Sequence, residues 1–503
     1  MTANRNLPFE PTSEALAGWL DSLSKLPHAQ AAHQLNQVLK QLKDEKCQTG
    51  VLLALLTNLT PLTLHFSGSL SASASNEPSS SGTAYKLGKL SMQLPRQLGL
   101  LFCQLAESNT LEGTDLQTAI YYALQLIGIC FRSYSLFYEA PSATLWKKSA
   151  ALFKLASTND CLNTSQATKL AEFKSQTTIE TVVKRNLLFS VLMPNQFSRE
   201  EINQFFLLAN QHADLLEITS DRQAWNFGFY WDLNDELPPC PVRKTNKSLP
   251  EGYIAIDSQR ISHDLQLGGI ATKLPPSTQN KLALFLSGYH QVFGSIIPGL
   301  PSYSKLILGF GGITNYLQEL NKLVKIQQLS SLSGEKSLKR DLSLVPLEHQ
   351  RNVFEALDQP FSAKQQSVGK SVNVLKTPNK LYQIAESRGL DCSTGDLALL
   401  YKEQHPVSLA IIRQQNFNDL SNANHVLLEM VPGQCTIYSL AKNAIVPHAI
   451  IVGEDSEHPQ VFLASGKYNV GGKIQLSIGH SLILTACLES NAYFARFKFS
   501  FDS

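Results

Sequence analysis

The hydrophobic period of this chain changes near residue 220, and that change constrains the fold more than any other feature of the sequence. Over the first 215 or so residues, apolar side chains recur at helical spacing, which predicts helices that include 164–192 and 198–216, with caps at Thr12 or Ser13 and in SREE. In the stretch 225–231, aromatic residues alternate with their neighbours at the period of a strand. We therefore predict an α+β protein in which an N-terminal all-α domain precedes β structure.

Turn signals and composition divide the chain into five predicted segments. The small, polar sequence SGSLSASASNEPSSSGT predicts a disordered loop at about 67–83 inside the helical domain. The last 120 or so residues alternate strand-sized apolar runs with turns, which is typical of antiparallel barrels. The predicted segments are a helical domain at 1–217, a mixed β/α domain at 218–323, a flexible Ser-, Lys- and Gln-rich linker at 324–380, a β-barrel at 381–440, and a second small β-domain or barrel extension at 441–503.

Composition excludes few classes of protein, but the cysteines and the start of the sequence predict the cellular compartment. A net charge of +2 gives no field that would attract nucleic acid, so we predict no nucleic-acid partner. None of the eight cysteines forms a C-x-x-C pair, and most lie in apolar runs, as reduced cytoplasmic thiols do. The start of the sequence lacks the apolar core of a signal peptide, and the longest apolar stretch, 119–131, is too short for a bilayer. We predict a cytoplasmic protein without a transmembrane segment.

The sequence gives no support for catalysis. SVGKS at 367–371 ends like a phosphate-binding loop, but Lys364 stands where the leading Gly belongs. GFGG at 309–312 follows a strand and indicates a tight turn rather than a dinucleotide fold. The histidines are dispersed, and the carboxylates form no apolar-flanked acid/base pair. We predict a non-enzymatic protein with no catalytic residues, no metal site and no cofactor.

Three segments near the C-terminus stand in a distinctive order: GDLALL (395–400), AIIRQQ (410–415) and VLLEMVPG (426–433). This succession resembles the second half of a PilZ domain, a small β-barrel of bacterial receptors for cyclic di-GMP. The segments 119–153 and 182–205 and the following WDLNDELPP resemble a longer bacterial family, in which a helical region precedes a PilZ domain. The resemblance implies a PilZ-like antiparallel barrel, a bacterial regulatory role, cyclic di-GMP as the ligand class and a protein partner.

The ligand motifs of that family are incomplete in this chain. PilZ domains carry Asp/Asn-x-Ser-x-x-Gly on the barrel, where the Asp or Asn and the Ser contact the ligand and the Gly allows close approach. Here Ala385 occupies the first position, Ser387 is in register, Gly389 falls one residue early, and Leu390 stands at the Gly position. The loop AESRG is therefore predicted to be a turn descended from a ligand-binding loop.

The second PilZ motif, Arg-x-x-x-Arg, supplies two planar guanidinium forks for phosphates. Its nearest substitute here is KSLKR, with Lys336 and Arg340 at the right mutual spacing. The resemblance implies a candidate cyclic di-GMP site of Lys336, Arg340, Ser387, Arg388 and Arg413. Three interpretations follow: a regulatory or adaptor protein whose cyclic di-GMP binding is weak or lost, a functional receptor with a non-standard site, and a purely structural protein-interaction scaffold.

Overall fold

The computed structural model describes most of the chain. The described residues are 7–45, 47–76, 82–168, 170, 173–220, 228–242, 251–288, 302–332, 369–376, 381–387, 390, 392–402, 406–418, 423–441, 447–477 and 479–502. Within this part of the chain, α-helices dominate the N-terminal half and antiparallel strands dominate the C-terminal third. The α+β class predicted from the sequence is therefore confirmed.

The α-helices lie mostly before residue 290, and the last of them follows the first strand of the barrel. In chain order they are α1 (Ser13–Ser24), α2 (His28–Leu42), α3 (Thr49–Asn76), α4 (Gly82–Glu107), α5 (Gly113–Leu136), α6 (Ala143–Thr158), α7 (Ile179–Val191), α8 (Arg199–His212), α9 (Gln259–Gln266), α10 (Pro276–Leu286) and α11 (Phe310–Leu332). Single 3-10 turns lie at Pro194–Gln196 and Ala213–Leu215.

The strands form one small hairpin and three larger antiparallel sheets. They are β1 (Ser165–Ala167), β2 (Gln176–Thr178), β3 (Glu217–Thr219), β4 (Phe229–Asp232), β5 (Cys240–Pro241), β6 (Tyr253–Asp257), β7 (Ser302–Leu308), β8 (Lys370–Lys376), β9 (Tyr382–Ser387), β10 (Leu397–Tyr401), β11 (Ser408–Asn418), β12 (Ala423–Met430), β13 (Cys435–Ser439), β14 (His448–Val452), β15 (Gln460–Ala464), β16 (Lys473–Gln475), β17 (Ser481–Ser490) and β18 (Phe494–Asp502). β1 pairs with β2, and a four-stranded sheet has the order β3-β6-β4-β5.

The chain separates into two compact units, Met1–Val292 with Asn416–Asn422, and Phe293–Gln415 with Ala423–Ser503. The first unit has one continuous apolar core that runs from the helices into the four-stranded sheet. Two of its helices, α1 and α8, begin at the predicted capping residues. The Thr12 hydroxyl accepts a hydrogen bond from the Ala15 N–H, and Ser198 and Glu201 form a reciprocal capping box at the start of α8.

Two predictions for the helical region were wrong. The predicted disordered loop at 67–83 is helical at 67–76, where α3 continues with Leu70 and Ala74 buried, and at 82–83, where α4 begins. Residues 77–81 lie outside the described residues. Small side chains there allow close helix packing, so low complexity did not prevent order. The predicted helix at 164–192 is instead the β1–β2 hairpin followed by α7, which starts at the Thr178 cap.

A closed barrel in the second unit has the strand order β10-β11-β12-β9-β8-β7. It uses strands from outside the predicted range of 381–440. β7 came from the predicted mixed domain, and β8 lies inside the segment 324–380 that was predicted to be a linker. The linker prediction is wrong for 324–332, which belong to α11, and for 370–376, where Val372 and Val374 face the barrel interior and β8 pairs with β7 and β9. Residues 333–368 and 377–380 lie outside the described residues. The tight turn predicted at GFGG is confirmed at Gly309, whose φ is +76°.

Strand β10 separates two apolar cores, so all five of its residues are buried. Ala398 and Leu400 face the barrel interior together with Val374 and Val426. Leu397, Leu399 and Tyr401 face a second cluster on the opposite side. The unbroken apolar run LALLY follows from burial on both faces, where the polar alternation of a half-exposed strand is absent.

The last sheet has the order β13-β14-β15-β18-β17-β16 and begins at Cys435, earlier than the predicted boundary at 441. One of its faces contributes Ile450, Phe462 and Phe494 to the same cluster that contains Leu397. Its opposite face has a core of its own. The barrel and this sheet therefore share an apolar core within the second unit.

Candidate functional site

The predicted ligand loop begins inside the barrel wall. Ala385 is fully buried on β9, between Val374 of β8 and Val426 of β12. A carboxylate or amide at this position would point into an apolar core and could not reach a ligand at the surface. Ser387 ends the strand, and its hydroxyl donates a hydrogen bond to the carbonyl of Ser371 on β8 (3.1 Å). The strand end thus has a polar contact within the barrel.

Leu390, which stands at the Gly position of the PilZ motif, lies in the barrel interior. Leu390 is 1% exposed and packs in the barrel core. Two side chains hold the backbone around it: the Asn424 Nδ2 donates to the Leu390 carbonyl (2.8 Å), and the Gln415 Nε2 donates to the Cys392 carbonyl (3.2 Å). Gln415 also donates to the Thr394 hydroxyl (3.2 Å). Leu390 is thus buried in the barrel core at the position of the ligand motif's Gly, and hydrogen bonds from Asn424 and Gln415 hold the described backbone on this side.

The carboxyl group of Asp396 lies immediately before the first residue of β10. Burial raises the pKa of Asp396 to about 6, although a hydrogen bond from the Leu397 N–H to its Oδ1 (2.7 Å) lowers it in part. The side chain also lies next to Gly309, where α11 begins. The Asp396 carboxyl group therefore changes charge near pH 6.

The best-formed polar cluster of the second unit surrounds Arg413 on β11. Its Nη1 and Nη2 donate to the two carboxylate oxygens of Glu489 (2.7 and 2.8 Å), and its Nε donates to Glu429 Oε2 (2.5 Å). Burial lowers the pKa of the Arg413 guanidinium, but the charges and hydrogen bonds of Glu489 and Glu429 outweigh burial and raise it. The guanidinium is a permanent cation held by two carboxylates.

Two further side chains extend this cluster. Arg496 on β18 lies 3.7 Å from Glu429 and donates from Nε to Gln460 Oε1 (2.8 Å). Asn491, between β17 and β18, donates from Nδ2 to Glu489 Oε1 (3.3 Å) and to the carbonyl of Gly395 (2.9 Å). The cluster therefore connects the last sheet to the barrel.

The structure does not bring together the two predicted site residues that it describes. Ser387 is paired with Asn424 on β12, whereas Arg413 contacts Glu429, five residues further along the same strand. At the rise of a β-strand, five residues correspond to about 17 Å. Lys336, Arg340 and Arg388 lie outside the described residues. A ligand role for these five residues stays a prediction.

The first unit, hereafter the helical unit, contains a polar cluster that was not predicted from the sequence. Arg185 on α7 is 1% exposed, and its hydrogen-bond partners in the described part of the chain are the neutral groups of Gln125 and Asn186. The guanidinium also lies over the rings of Phe173 (5.5 Å) and Phe206 (5.1 Å). Burial lowers the pKa of Arg185 to about 9, so it remains charged at neutral pH. The sequence VVKRNLL, in which polar residues including Arg185 and Asn186 stand between two apolar pairs, could have indicated a buried polar group here.

The part of the chain that the structure describes contains no group of three or more His, Cys, Asp or Glu side chains that could hold a metal ion. One helical stretch, Thr49–Ser75, is long and apolar enough to cross a membrane by length and composition. A core helix of a soluble protein passes the same test, so this helix alone does not identify a membrane protein.

The fold and these clusters define an α+β protein with a helical region followed by a closed antiparallel barrel and a second β-sheet. Residues 14–223 match the family model described as "Cyclic-di-GMP receptor FimW, N-terminal domain". The helical region is thus similar to the N-terminal domain of a cyclic di-GMP receptor. No curated protein matches the chain significantly, and no solved structure does.

Proposed function

We propose that the chain is a non-enzymatic bacterial regulatory or adaptor protein of the cytoplasm, related to cyclic di-GMP receptors, whose PilZ-like barrel binds cyclic di-GMP weakly or not at all. The single observation that supports weak or absent cyclic di-GMP binding is the burial of Leu390 and Ala385. Ala385 stands at the motif position of the Asp or Asn that contacts the ligand, and Leu390 stands at the position of the Gly that allows close approach. Both side chains pack in the barrel core.

The contacts of the two described candidate residues support the same proposal. Arg413 is held by Glu489 and Glu429, and Ser387 donates to a backbone carbonyl. A charged hydrogen bond to a ligand contributes about 1–3 kcal/mol, and about 1.4 kcal/mol changes an affinity tenfold. The loss of two such contacts would turn a micromolar receptor into one that binds at about millimolar concentration.

The test is calorimetric titration of the full-length protein with cyclic di-GMP. We expect no heat, and no thermal shift, below about 1 mM ligand, the range in which two lost contacts place the affinity. A dissociation constant in the low micromolar range would contradict the proposal. Ser387→Ala is the matched control, because it removes one barrel hydroxyl without changing charge, and we expect it to leave the titration unchanged.

The alternative function is a working receptor with a non-standard site. The similarity of residues 14–223 to a receptor's N-terminal domain favours it. In that case the phosphate contacts would come from Lys336, Arg340 and Arg388. Micromolar binding by the wild type that is lost in Lys336→Ala/Arg340→Ala and in Arg388→Ala, but kept in Ser387→Ala, would establish this alternative.

A regulatory or adaptor role also requires a protein partner. We expect a partner recovered by the full-length chain to be recovered equally by Ser387→Ala and Arg388→Ala, because the proposal assigns no ligand control to either residue. A partner that binds the wild type only when cyclic di-GMP is present, and no longer binds Arg388→Ala, would instead support the receptor. Equal capture with and without ligand by all variants would fit the structural scaffold.

A further inference from the structure

The contact between Arg413 and Glu489 has the geometry with which proteins bind phosphate. Two parallel hydrogen bonds join Nη1 and Nη2 to the two oxygens of one carboxylate (2.7 and 2.8 Å). Side-on forks of this kind recognise carboxylate and phosphate groups equally well by shape. The anion in the fork is supplied by a residue that is 76 positions away in the sequence.

The two carboxylates on Arg413 have different origins. Glu429 lies on β12, the strand next to β11 in the barrel, so its contact is an ordinary cross-strand pair. Glu489 comes from β17 in the other sheet. Arg413 is therefore paired with Glu429 of its own barrel and with Glu489 of the last sheet.

The backbone of β17 is irregular where it places Glu489. Cys487 pairs with Phe497 and Glu489 pairs with Arg496, so Leu488 is an extra residue in the strand. Leu488 is 41% exposed, although it is a large apolar side chain. A bulge of this kind changes the direction of the following side chain. The strand departs from regular pairing at the residue before Glu489.

The turn after β17 fixes this arrangement. Asn491 Oδ1 accepts from the N–H groups of Tyr493 and Phe494 (2.8 and 3.0 Å), which holds the hairpin turn. Its Nδ2 donates to Glu489 Oε1 and to the barrel carbonyl of Gly395. The β17–β18 hairpin is thus attached to the barrel by polar contacts of Glu489 and of Asn491, two residues later.

The charges of the cluster balance only while Glu489 is present. Arg413 and Arg496 face Glu429 and Glu489, all of them at most 25% exposed. Without Glu489, two guanidiniums would face one carboxylate in a partly buried environment, where an unbalanced positive charge attracts an anion strongly.

We propose that Glu489 is a built-in anion that occupies a guanidinium site for a phosphate-type ligand. The site takes a phosphate monoester, a phosphodiester or inorganic phosphate through Arg413, with Arg496 as the second cation. This inference does not depend on the proposed function, because it concerns the barrel with Glu489 removed.

The test compares phosphate binding by full-length variants in calorimetric titrations with inorganic phosphate. We expect Glu489→Ala to bind phosphate at least tenfold more tightly than the wild type. The matched control is Glu454→Ala, which removes a carboxylate that accepts a hydrogen bond from Tyr438 in the same sheet. We expect the control to bind like the wild type. Adding Arg413→Met to Glu489→Ala should remove the gain.

A parallel titration of Glu489→Ala with cyclic di-GMP distinguishes the source of the phosphate. A gain for both ligands identifies a nucleotide phosphodiester site, and a gain for inorganic phosphate alone identifies a free phosphate site. If Glu489→Ala does not fold, Glu489→Gln keeps the side-chain shape and removes the charge. A folded Glu489 variant that binds phosphate no more tightly than the wild type would overturn the proposal, and so would a gain that survives Arg413→Met.

Discussion

Gly128 on α5 lies directly against the guanidinium of Arg185 on α7. A Cβ atom at position 128 would overlap Arg185 Nη2 and Asn186 Oδ1, closer than Cβ atoms approach other atoms in proteins. The close approach allows Arg185 to reach Gln125 on the same helix as Gly128. The missing side chain of Gly128 is therefore what permits a buried cation at the α5–α7 contact.

The substitution Gly128→Ala should destabilise the helical unit. The added methyl group forces the buried guanidinium and the Asn186 amide apart, and overpacking of this kind costs about 1–3 kcal/mol. Urea unfolding followed by tryptophan fluorescence measures the effect, because all four tryptophans lie in residues 1–292. Gly18→Ala is the control, since nothing lies within 4 Å of a Cβ there. It should stabilise α1 by about 0.5–1 kcal/mol. Equal effects of the two substitutions would contradict this explanation.

Arg185 and Gln125 should be energetically coupled. Arg185→Met leaves the Gln125 and Asn186 oxygens buried without a donor, which costs about 1–3 kcal/mol for each group. In Gln125→Met/Arg185→Met, one of those unsatisfied oxygens is also removed. The double variant should therefore be more stable than the sum of the single effects by about 1 kcal/mol or more. Additive losses in the same unfolding experiment would mean that the two side chains do not act together.

Sequence reasoning identified the elements better than their partners. The change of hydrophobic period predicted the order of helices and strands, and capping residues predicted the starts of α1 and α8. Periodicity could not predict that β7 and β8 close the barrel, because strand pairing between residues 302 and 401 depends on contacts distant in the chain. It also could not predict that Ser- and Ala-rich residues before Asn76 continue α3, since their order comes from packing.

The site was harder to predict for the same reason. The motif comparison placed Ser387 and Arg413 in one site, but a motif gives no information on what already contacts a side chain. Glu489 reaches Arg413 from another sheet. The buried cation Arg185 was missed because a charged residue inside a helical pattern is usually on the exposed face. In both cases the deciding contact joins residues 60 or more positions apart.

Leu390 should contribute strongly to barrel stability. It is 1% exposed in the barrel core, and truncation of a buried leucine costs about 2–5 kcal/mol. We expect Leu390→Ala to lower the melting temperature of the barrel transition in calorimetry, while the tryptophan-reported transition of the helical unit stays unchanged. Leu381→Ala is the control, because Leu381 is 50% exposed. It should change stability by less than about 0.5 kcal/mol. If Leu390→Ala lowers the melting temperature no more than Leu381→Ala does, Leu390 does not contribute to the barrel core.

The buried carboxyl group of Asp396 should make the barrel less stable as pH rises. Burial raises the pKa of Asp396 to about 6 from an ordinary value of 3.8, so between those values the folded state binds more protons than the unfolded state. The free energy of unfolding therefore decreases as pH rises from about 4 to about 6 and levels off above that range, by roughly 2–3 kcal/mol for this group.

Asp396→Asn tests this prediction, because the amide has the shape of the protonated acid and can still accept from the Leu397 N–H. We expect the variant and the wild type to have similar barrel stability at pH 4, and the variant to be the more stable at pH 7. Calorimetry at several pH values, with the difference between the two proteins plotted against pH, cancels the titration of the other groups. A difference that stays constant from pH 4 to pH 7 would show that Asp396 is ionised throughout this range in the folded protein.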